Sequence, residues 1–157
     1  MRFIGFYDYT VILTYMSLLS AVFGMKQALN GNFTISVFCI LFSGICDAFD
    51  GAVARTKKDR TEDEKAFGIQ VDSLVDAVSF GVAPAFLCYC MGVNGMIGQL
   101  ILFCFCLCGV IRLAFFNVLE TNRQKTEDGC TKFYRGLPIT SSSILVPITY
   151  VFRFVLP

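Results

Sequence analysis

The chain has 157 residues, of which 55% are hydrophobic and only 16% are charged, and its formal net charge is +1. A soluble domain usually carries about 25% charged residues, so this composition argues against a soluble globular protein. We also expect no nucleic-acid partner. Charged residues are missing from four long runs, at 9–25, 27–46, 77–111 and 136–152. Because a membrane span needs roughly 20 mostly apolar residues, these runs predict transmembrane helices.

The predicted fold is all-α: a single transmembrane domain over residues 1–157, built as a helical bundle of about five to six spans. The third apolar run is too long for one span, and the poor helix formers Gly92, Asn94 and Gly95 divide it into two. The first run has no small-residue cleavage site, so we interpret it as a retained helix. We place five spans at about 8–28, 32–53, 67–90, 95–118 and 138–156.

The cysteine content argues against a metal site of the zinc or iron–sulfur kind. Seven of the eight cysteines lie in or next to apolar runs, no CxxC pair occurs, and the chain has no histidine. Cysteines in such positions behave as small core residues, and we interpret them in that way.

The distribution of basic residues predicts the orientation. Of the thirteen lysines and arginines, only Lys26 and Arg153 fall near one face, and most of the others fall in the N-terminus and in the second and fourth connections. Basic loops mark the cytoplasmic side of a membrane protein. We therefore expect a multi-pass protein of the cell membrane with its N-terminus inside.

Four aspartates interrupt the apolar sequence where the second predicted span ends and the third begins. They are Asp47, Asp50, Asp72 and Asp76. Carboxylates at membrane depth are energetically expensive, and they mark a functional site by default. The first two are three residues apart and the last two are four apart, so each pair lies on one face of its helix.

The two helices run in opposite directions, so both pairs should meet near the cytoplasmic surface. Four facing carboxylates cannot all stay ionised without cations between them. Oxygen ligands without histidine or thiolate suit Mg²⁺ or Mn²⁺, and four carboxylates suffice to bridge two ions. Ca²⁺ also fits such ligands, as an occupant that does not support turnover.

Small residues and an arginine accompany the carboxylates. Gly51 and Ala54 lie on the face of the first pair, and Gly68 lies one turn before Asp72. They leave room for a phosphate to approach, and Arg55 adds positive charge. The set is typical of a diphosphate site at the membrane surface, although Gly68 alone would equally serve helix packing. Acidic pairs on facing helices are also compatible with an ion or proton transporter.

The spacing Asp47-x-x-Asp50-Gly51-x-x-Ala54-Arg55, followed by Gly68-x-x-x-Asp72-x-x-x-Asp76, resembles the motif of the CDP-alcohol phosphatidyltransferases. One departure is that twelve residues separate Arg55 from Gly68, more than the family pattern usually has. The insertion lies in the polar connection, so it affects loop contacts rather than the carboxylates.

Three further segments are similar to the phosphatidylserine synthase branch of that family. They are Ser79-Phe80-Gly81-Val82-Ala83-Pro84-Ala85, Arg112-Leu113-Ala114-Phe115-Phe116-Asn117 and Phe133-Tyr134-Arg135-Gly136-Leu137-Pro138-Ile139-Thr140. This resemblance implies transfer of the phosphatidyl group from CDP-diacylglycerol to L-serine, giving phosphatidylserine and CMP. Members of the family commonly have six or more spans, so we expect either a truncated chain or a missing last helix.

The resemblance also implies a role for each motif residue. All four aspartates would surround a two-metal centre, and Asp76 would also be the general base. The CDP diphosphate would be bound by Asp47, Gly51, Ala54, Arg55, Gly68 and Asp72. The family further implies a homodimer embedded among membrane lipids.

The acceptor is the least determined part of the hypothesis. The carboxylate of serine needs a cation or amide donors, and Arg112 is a candidate because a buried arginine requires an anionic partner. It could instead pair with the aspartates or with a lipid phosphate. Asn117 and Arg135 are further candidates for the same pocket. Glycerol phosphate or inositol remains an alternative acceptor.

Overall fold

The computed structural model describes residues 11–54, 61–124 and 138–155, and the described parts of the chain are helical apart from short turns. The helices are α1 (Ile12–Leu29), α2 (Phe33–Ala54), α3 (Glu62–Asp76), α4 (Ala83–Cys90), α5 (Met96–Gln124) and α6 (Ser142–Val155). A π-helical segment (Ala77–Val82) joins α3 to α4, and a 3₁₀ turn (Ile139–Ser141) precedes α6. The predicted all-α fold is confirmed.

Helices α1 and α2 form a tight antiparallel hairpin. Gly31 has a φ of +78° in the turn between them, a conformation that glycine adopts without a Cβ penalty. The buried residues of α1 are all small, namely Thr14, Ser17, Ala21, Gly24 and Ala28. A Cβ on Gly24 would lie 2.9 Å from Cys39 Cβ, so the two backbones approach closely. Small residues allow such approach between membrane helices.

Helix α3 begins at Glu62, five residues before the predicted start at residue 67. Thr61 forms a capping box: its hydroxyl accepts from the Glu64 amide at 3.2 Å, and the Glu64 carboxylate accepts from the Thr61 amide at 2.9 Å. The acidic residues of the first turn also suit the positive end of the helix dipole. Polar residues that we assigned to the connection therefore extend the helix beyond its apolar part.

The helix that continues from α3 to α4 changes pitch before Pro84. Proline has no amide hydrogen to give to the carbonyl four residues earlier, which here belongs to Phe80. The Ser142 hydroxyl donates to that carbonyl at 2.9 Å, and both side chains are buried. The start of α6 thus satisfies the backbone group that the proline leaves open.

The predicted division of the third apolar run is confirmed, since α4 ends at Cys90 and α5 begins at Met96. Gly92, with a φ of +110°, lies in the turn.

Helix α6 packs antiparallel to α2. A Cβ on Gly44 would lie 2.6 Å from Ser143 Cβ, and Thr34 and Tyr150 share a hydrogen bond of 2.9 Å.

Within the described parts of the chain, four stretches are long and apolar enough to cross a membrane: Ile12–Leu29, Phe33–Val53, Glu62–Cys90 and Met96–Leu119. The fifth predicted span corresponds to a shorter apolar helix, Ile139–Phe152. The chain is therefore a multi-pass membrane protein. Its main apolar core cluster lies where the α1–α2 turn, α4 and the end of α6 meet, and consists of Ala28, Val37, Ile40 and Leu87.

Candidate metal centre and substrate site

The four aspartates of the motif form a carboxylate cluster between α2 and α3. One carboxylate oxygen from each of Asp47, Asp50 and Asp72 lies within 4.8 Å of the others. Asp50 contacts Asp72, and Asp47 contacts Asp76. This pairing of the earlier residue of one helix with the later residue of the other is the antiparallel arrangement that the sequence predicted. We refer to these four residues as the carboxylate cluster.

The cluster is screened from solvent by the bundle itself. The side chains of Asp50 and Asp76 are each 8% exposed, and those of Asp47 and Asp72 are half-buried. Like charges at such short separation, away from water, repel strongly unless a cation or a proton intervenes. Asp76 is the later of the two members on α3; its carboxyl group is hydrogen-bonded to Asp47 and close enough to interact with Asp72 and Asp50.

A hydroxyl from α1 completes the surroundings of Asp50. The Thr14 side chain is buried, and its Oγ1 donates to Asp50 Oδ2 at 3.1 Å. The next polar pair along the same interface is Ser17 with Ser43, whose hydroxyl oxygens are 2.6 Å apart. That pair lies one turn deeper and serves the packing of the two helices.

The carboxylate oxygens of the cluster are suitable ligands for a hard divalent cation. Asp72 Oδ1 is buried and has no hydrogen-bond partner among the described residues. A buried carboxylate oxygen without a donor is costly unless a ligand from outside the protein supplies one or a cation binds it. Carboxylate oxygens are the ligands that Mg²⁺ and Mn²⁺ prefer, so Asp47, Asp50 and Asp72 could hold such a metal.

The remaining motif residues are only partly described. Gly51 is half-buried and directly follows Asp50, and Gly68 is half-buried one turn before Asp72. Ala54 is the last residue of α2, and its side chain lies outside the described residues. Arg55 and Arg135 also lie outside them.

Of the two described candidates for serine binding, Asn117 lies beside the cluster. Its Oδ1 accepts a hydrogen bond of 2.8 Å from Ser73, the residue that follows Asp72. Arg112 is half-buried on α5, and its guanidinium lies 5.1 Å from the centre of the Phe116 ring. Arg112 precedes Asn117 by five residues on α5, which is antiparallel to α3. At about 1.5 Å of rise per residue, Arg112 lies roughly 7.5 Å deeper than Asn117.

Thr14 and Ser73 were not among the predicted site residues, although the sequence around each one contains a pattern that indicates a buried contact. Thr14 begins the stripe of small residues on α1, whose spacing predicts a face packed against another helix. Ser73 lies next to a motif aspartate and offers a hydroxyl within an otherwise apolar stretch. What the spacing could not show is which partner each hydroxyl has.

The chain matches the family model of the CDP-alcohol phosphatidyltransferases over residues 9–156. The match covers nearly the whole chain, so the chain belongs to the CDP-alcohol phosphatidyltransferase family. No solved structure matches it significantly.

Several curated proteins are similar to the chain. A CDP-diacylglycerol–serine O-phosphatidyltransferase of Methanocaldococcus jannaschii is 36% identical over 138 residues, covering 86% of this chain and 58% of that protein. An archaetidylserine synthase of Methanothermobacter thermautotrophicus is 33% identical, covering 91% of this chain and 58% of that protein. A CDP-diacylglycerol–serine O-phosphatidyltransferase of Saccharomyces cerevisiae is 34% identical, covering 93% of this chain and 53% of that protein. The chain thus spans just over half the length of these relatives.

Proposed function

We propose that the chain transfers a phosphatidyl group from CDP-diacylglycerol to the hydroxyl of L-serine, giving phosphatidylserine and CMP. The observation that carries this proposal is the carboxylate cluster, in which oxygens of Asp47, Asp50 and Asp72 converge within 4.8 Å inside a membrane bundle. A metal-assisted attack on a diphosphate needs such a cluster, and the family to which the chain belongs carries out that chemistry.

The choice of acceptor rests on the relatives. The proteins from M. jannaschii, M. thermautotrophicus and S. cerevisiae are all named for a serine product or acceptor. The names differ in the lipid, since one specifies an archaetidyl group and the others CDP-diacylglycerol. Serine is therefore the better supported of the two substrates.

The carboxylate cluster would bind Mg²⁺ or Mn²⁺, with two ions as the expected number. These ions, when bound, polarise the diphosphate oxygens and neutralise charge on the departing CMP. The protein's own task is to hold the ligands in place: Asp47 and Asp50 project from α2, and Asp72 projects from α3. Gly51, Ala54, Arg55 and Gly68 would line the diphosphate beside them.

Asp76 would act as the general base. Its carboxylate takes the proton of the serine hydroxyl while the serine oxygen forms a bond to the phosphorus that carries diacylglycerol. The bond from this phosphorus to the bridging oxygen breaks, and its electron pair leaves with CMP. The position of Asp76, 8% exposed and against Asp47, supports a role in which bulk water does not compete for the proton.

Recognition of serine would fall to Asn117, Arg112 and Arg135. The Ser73–Asn117 hydrogen bond supports this role for Asn117, because it holds the amide against the residue that follows Asp72. Arg112 would reach the serine carboxylate from the deeper side. Its cation–π contact with Phe116 supports a guanidinium held in a fixed direction.

The orientation and assembly are part of the proposal. We propose that the cluster lies at the cytoplasmic face of the cell membrane with the N-terminus inside, because the basic residues concentrate in the N-terminus and in the second and fourth connections. We propose a homodimer, as the family resemblance implies. The exposed apolar surface of α5, which includes Ile97, Leu100 and Phe103, is available to lipid or to a second copy.

The test is an acceptor comparison with the purified chain in lipid nanodiscs. CDP-diacylglycerol is supplied with Mn²⁺ and with L-serine, glycerol 3-phosphate or inositol, and CMP release and the lipid product are measured. We expect CMP release with serine and none after chelation. Asp76→Asn serves as the control for contaminating enzyme, because loss of the base should remove about 10²-fold or more of the rate. Faster release with another acceptor would overturn the choice of serine, and ion flux into liposomes without CMP release would support a transporter.

A further inference from the structure

We infer that Thr14 is a positioning residue for Asp50: its hydroxyl fixes the direction in which this carboxylate meets the metal. The inference rests on the proposed metal role of the carboxylate cluster. It concerns a residue of α1, a helix that contributes no member of the family motif.

The hydrogen bond joins residues that are far apart in sequence and both buried. Thr14 is 4% exposed and Asp50 is 8% exposed, and Thr14 Oγ1 lies 3.1 Å from Asp50 Oδ2. A hydroxyl has a single proton to donate, and an ionised carboxylate only accepts. The Thr14 hydroxyl therefore donates its proton to one oxygen of Asp50, Oδ2.

The second torsion angle of an aspartate is broad, so an unrestrained carboxylate samples many directions. A donor held by another helix removes that freedom at Asp50. Ligating carboxylates are commonly hydrogen-bonded by residues behind them, and loss of such a partner typically lowers metal affinity or activity by 10- to 100-fold.

The neighbouring hydroxyls show that Thr14 differs from ordinary helix packing. Ser17 and Ser43 bond to each other, and Ser20 donates to the Cys39 carbonyl at 2.8 Å. These three serines belong to the same α1–α2 interface, and their hydrogen bonds join the two helices without a carboxylate. Among the described residues of α1, Thr14 is the one whose hydrogen bond reaches the cluster.

The experiment separates positioning from packing by measuring Mn²⁺ binding without substrate. Free Mn²⁺ is followed by its paramagnetic resonance signal during titration of the purified full chain. Thr14→Val keeps the shape but removes the proton, and we expect it to raise the dissociation constant about tenfold. Thr14→Ser keeps the hydroxyl and should stay within about twofold of the wild type. Ser17→Ala, which breaks the neighbouring bond, should bind like the wild type.

The activity of the same variants provides a second measurement. Thr14→Val should need about tenfold more Mn²⁺ for half-maximal CMP release, and its rate of CMP release should recover at saturating Mn²⁺.

Unchanged Mn²⁺ affinity in Thr14→Val, or an equal loss of affinity in Ser17→Ala, would overturn the inference. If Thr14→Val does not fold, Thr14→Ala should show the same rise in the Mn²⁺ dissociation constant. A wild type that binds no Mn²⁺ would instead refute the proposed metal role, so the two failures are distinguishable.

Discussion

The two ends of the bundle differ in what holds them together. At one end, the apolar cluster of Ala28, Val37, Ile40 and Leu87 is buried, and Phe33, Phe86 and Tyr150 are among the side chains packed around it. At the other end, the carboxylate cluster occupies the equivalent space between helices, and Asp72 Oδ1 lacks a partner among the described residues. One end stabilises the fold, and the other places mutually repelling groups where they destabilise it.

This difference indicates that one set of residues stabilises the fold and another set serves the function. The small and apolar residues that pack α1, α2, α4 and α6 together supply the stability that tolerates four acidic groups inside a membrane. Functional sites commonly reduce stability in this way. The comparison therefore predicts opposite mutational behaviour at the two ends.

The largest effect is expected for Asp72→Asn. The change removes a metal ligand, so CMP release should fall about 10²-fold or more. It also removes one of the repelling charges, so the metal-free protein should become more stable by about 1 kcal/mol, or roughly 2–4 °C in melting temperature. The check is CMP release together with thermal unfolding in chelator. A variant that melts below the wild type in chelator would show that Asp72 serves the fold.

A smaller and opposite effect is expected for Leu87→Ala at the apolar end. Leu87 is 1% exposed, so the truncation leaves a cavity and should destabilise the protein by about 2 kcal/mol. Its Mn²⁺ dissociation constant should stay within about twofold of the wild-type value. The same titration and melting measurements check both statements. A loss of metal affinity as large as that expected for Thr14→Val would mean that the two ends are not independent.

Much of the fold could be predicted from sequence because uncharged runs and turn residues determine where spans begin and end. The division at Gly92 is an example. Helix α3 begins five residues before the predicted span because the capping box at Thr61 and Glu64 belongs to polar sequence that apolar periodicity does not detect. The π-helical segment was not predicted either. Its Phe80 carbonyl accepts a hydrogen bond from Ser142, which is 62 residues away, and local pattern carries no information on that contact.

The carboxylate cluster could be predicted because the motif spacing places each pair on one helical face and antiparallel helices bring the faces together. The Thr14–Asp50 and Ser73–Asn117 hydrogen bonds could not, since they depend on the rotation of α1 and α5 about their own axes. Spacing within a helix determines which residues share a face. Packing between helices determines which neighbour that face contacts.

The most direct test of the account is the number of Mn²⁺ ions that the purified chain binds. The wild type should bind about two ions per chain, and a variant with Asn in place of Asp47, Asp50, Asp72 and Asp76 should bind none in the same concentration range. Equal binding by both proteins would contradict the claim that these four carboxylates hold the metal.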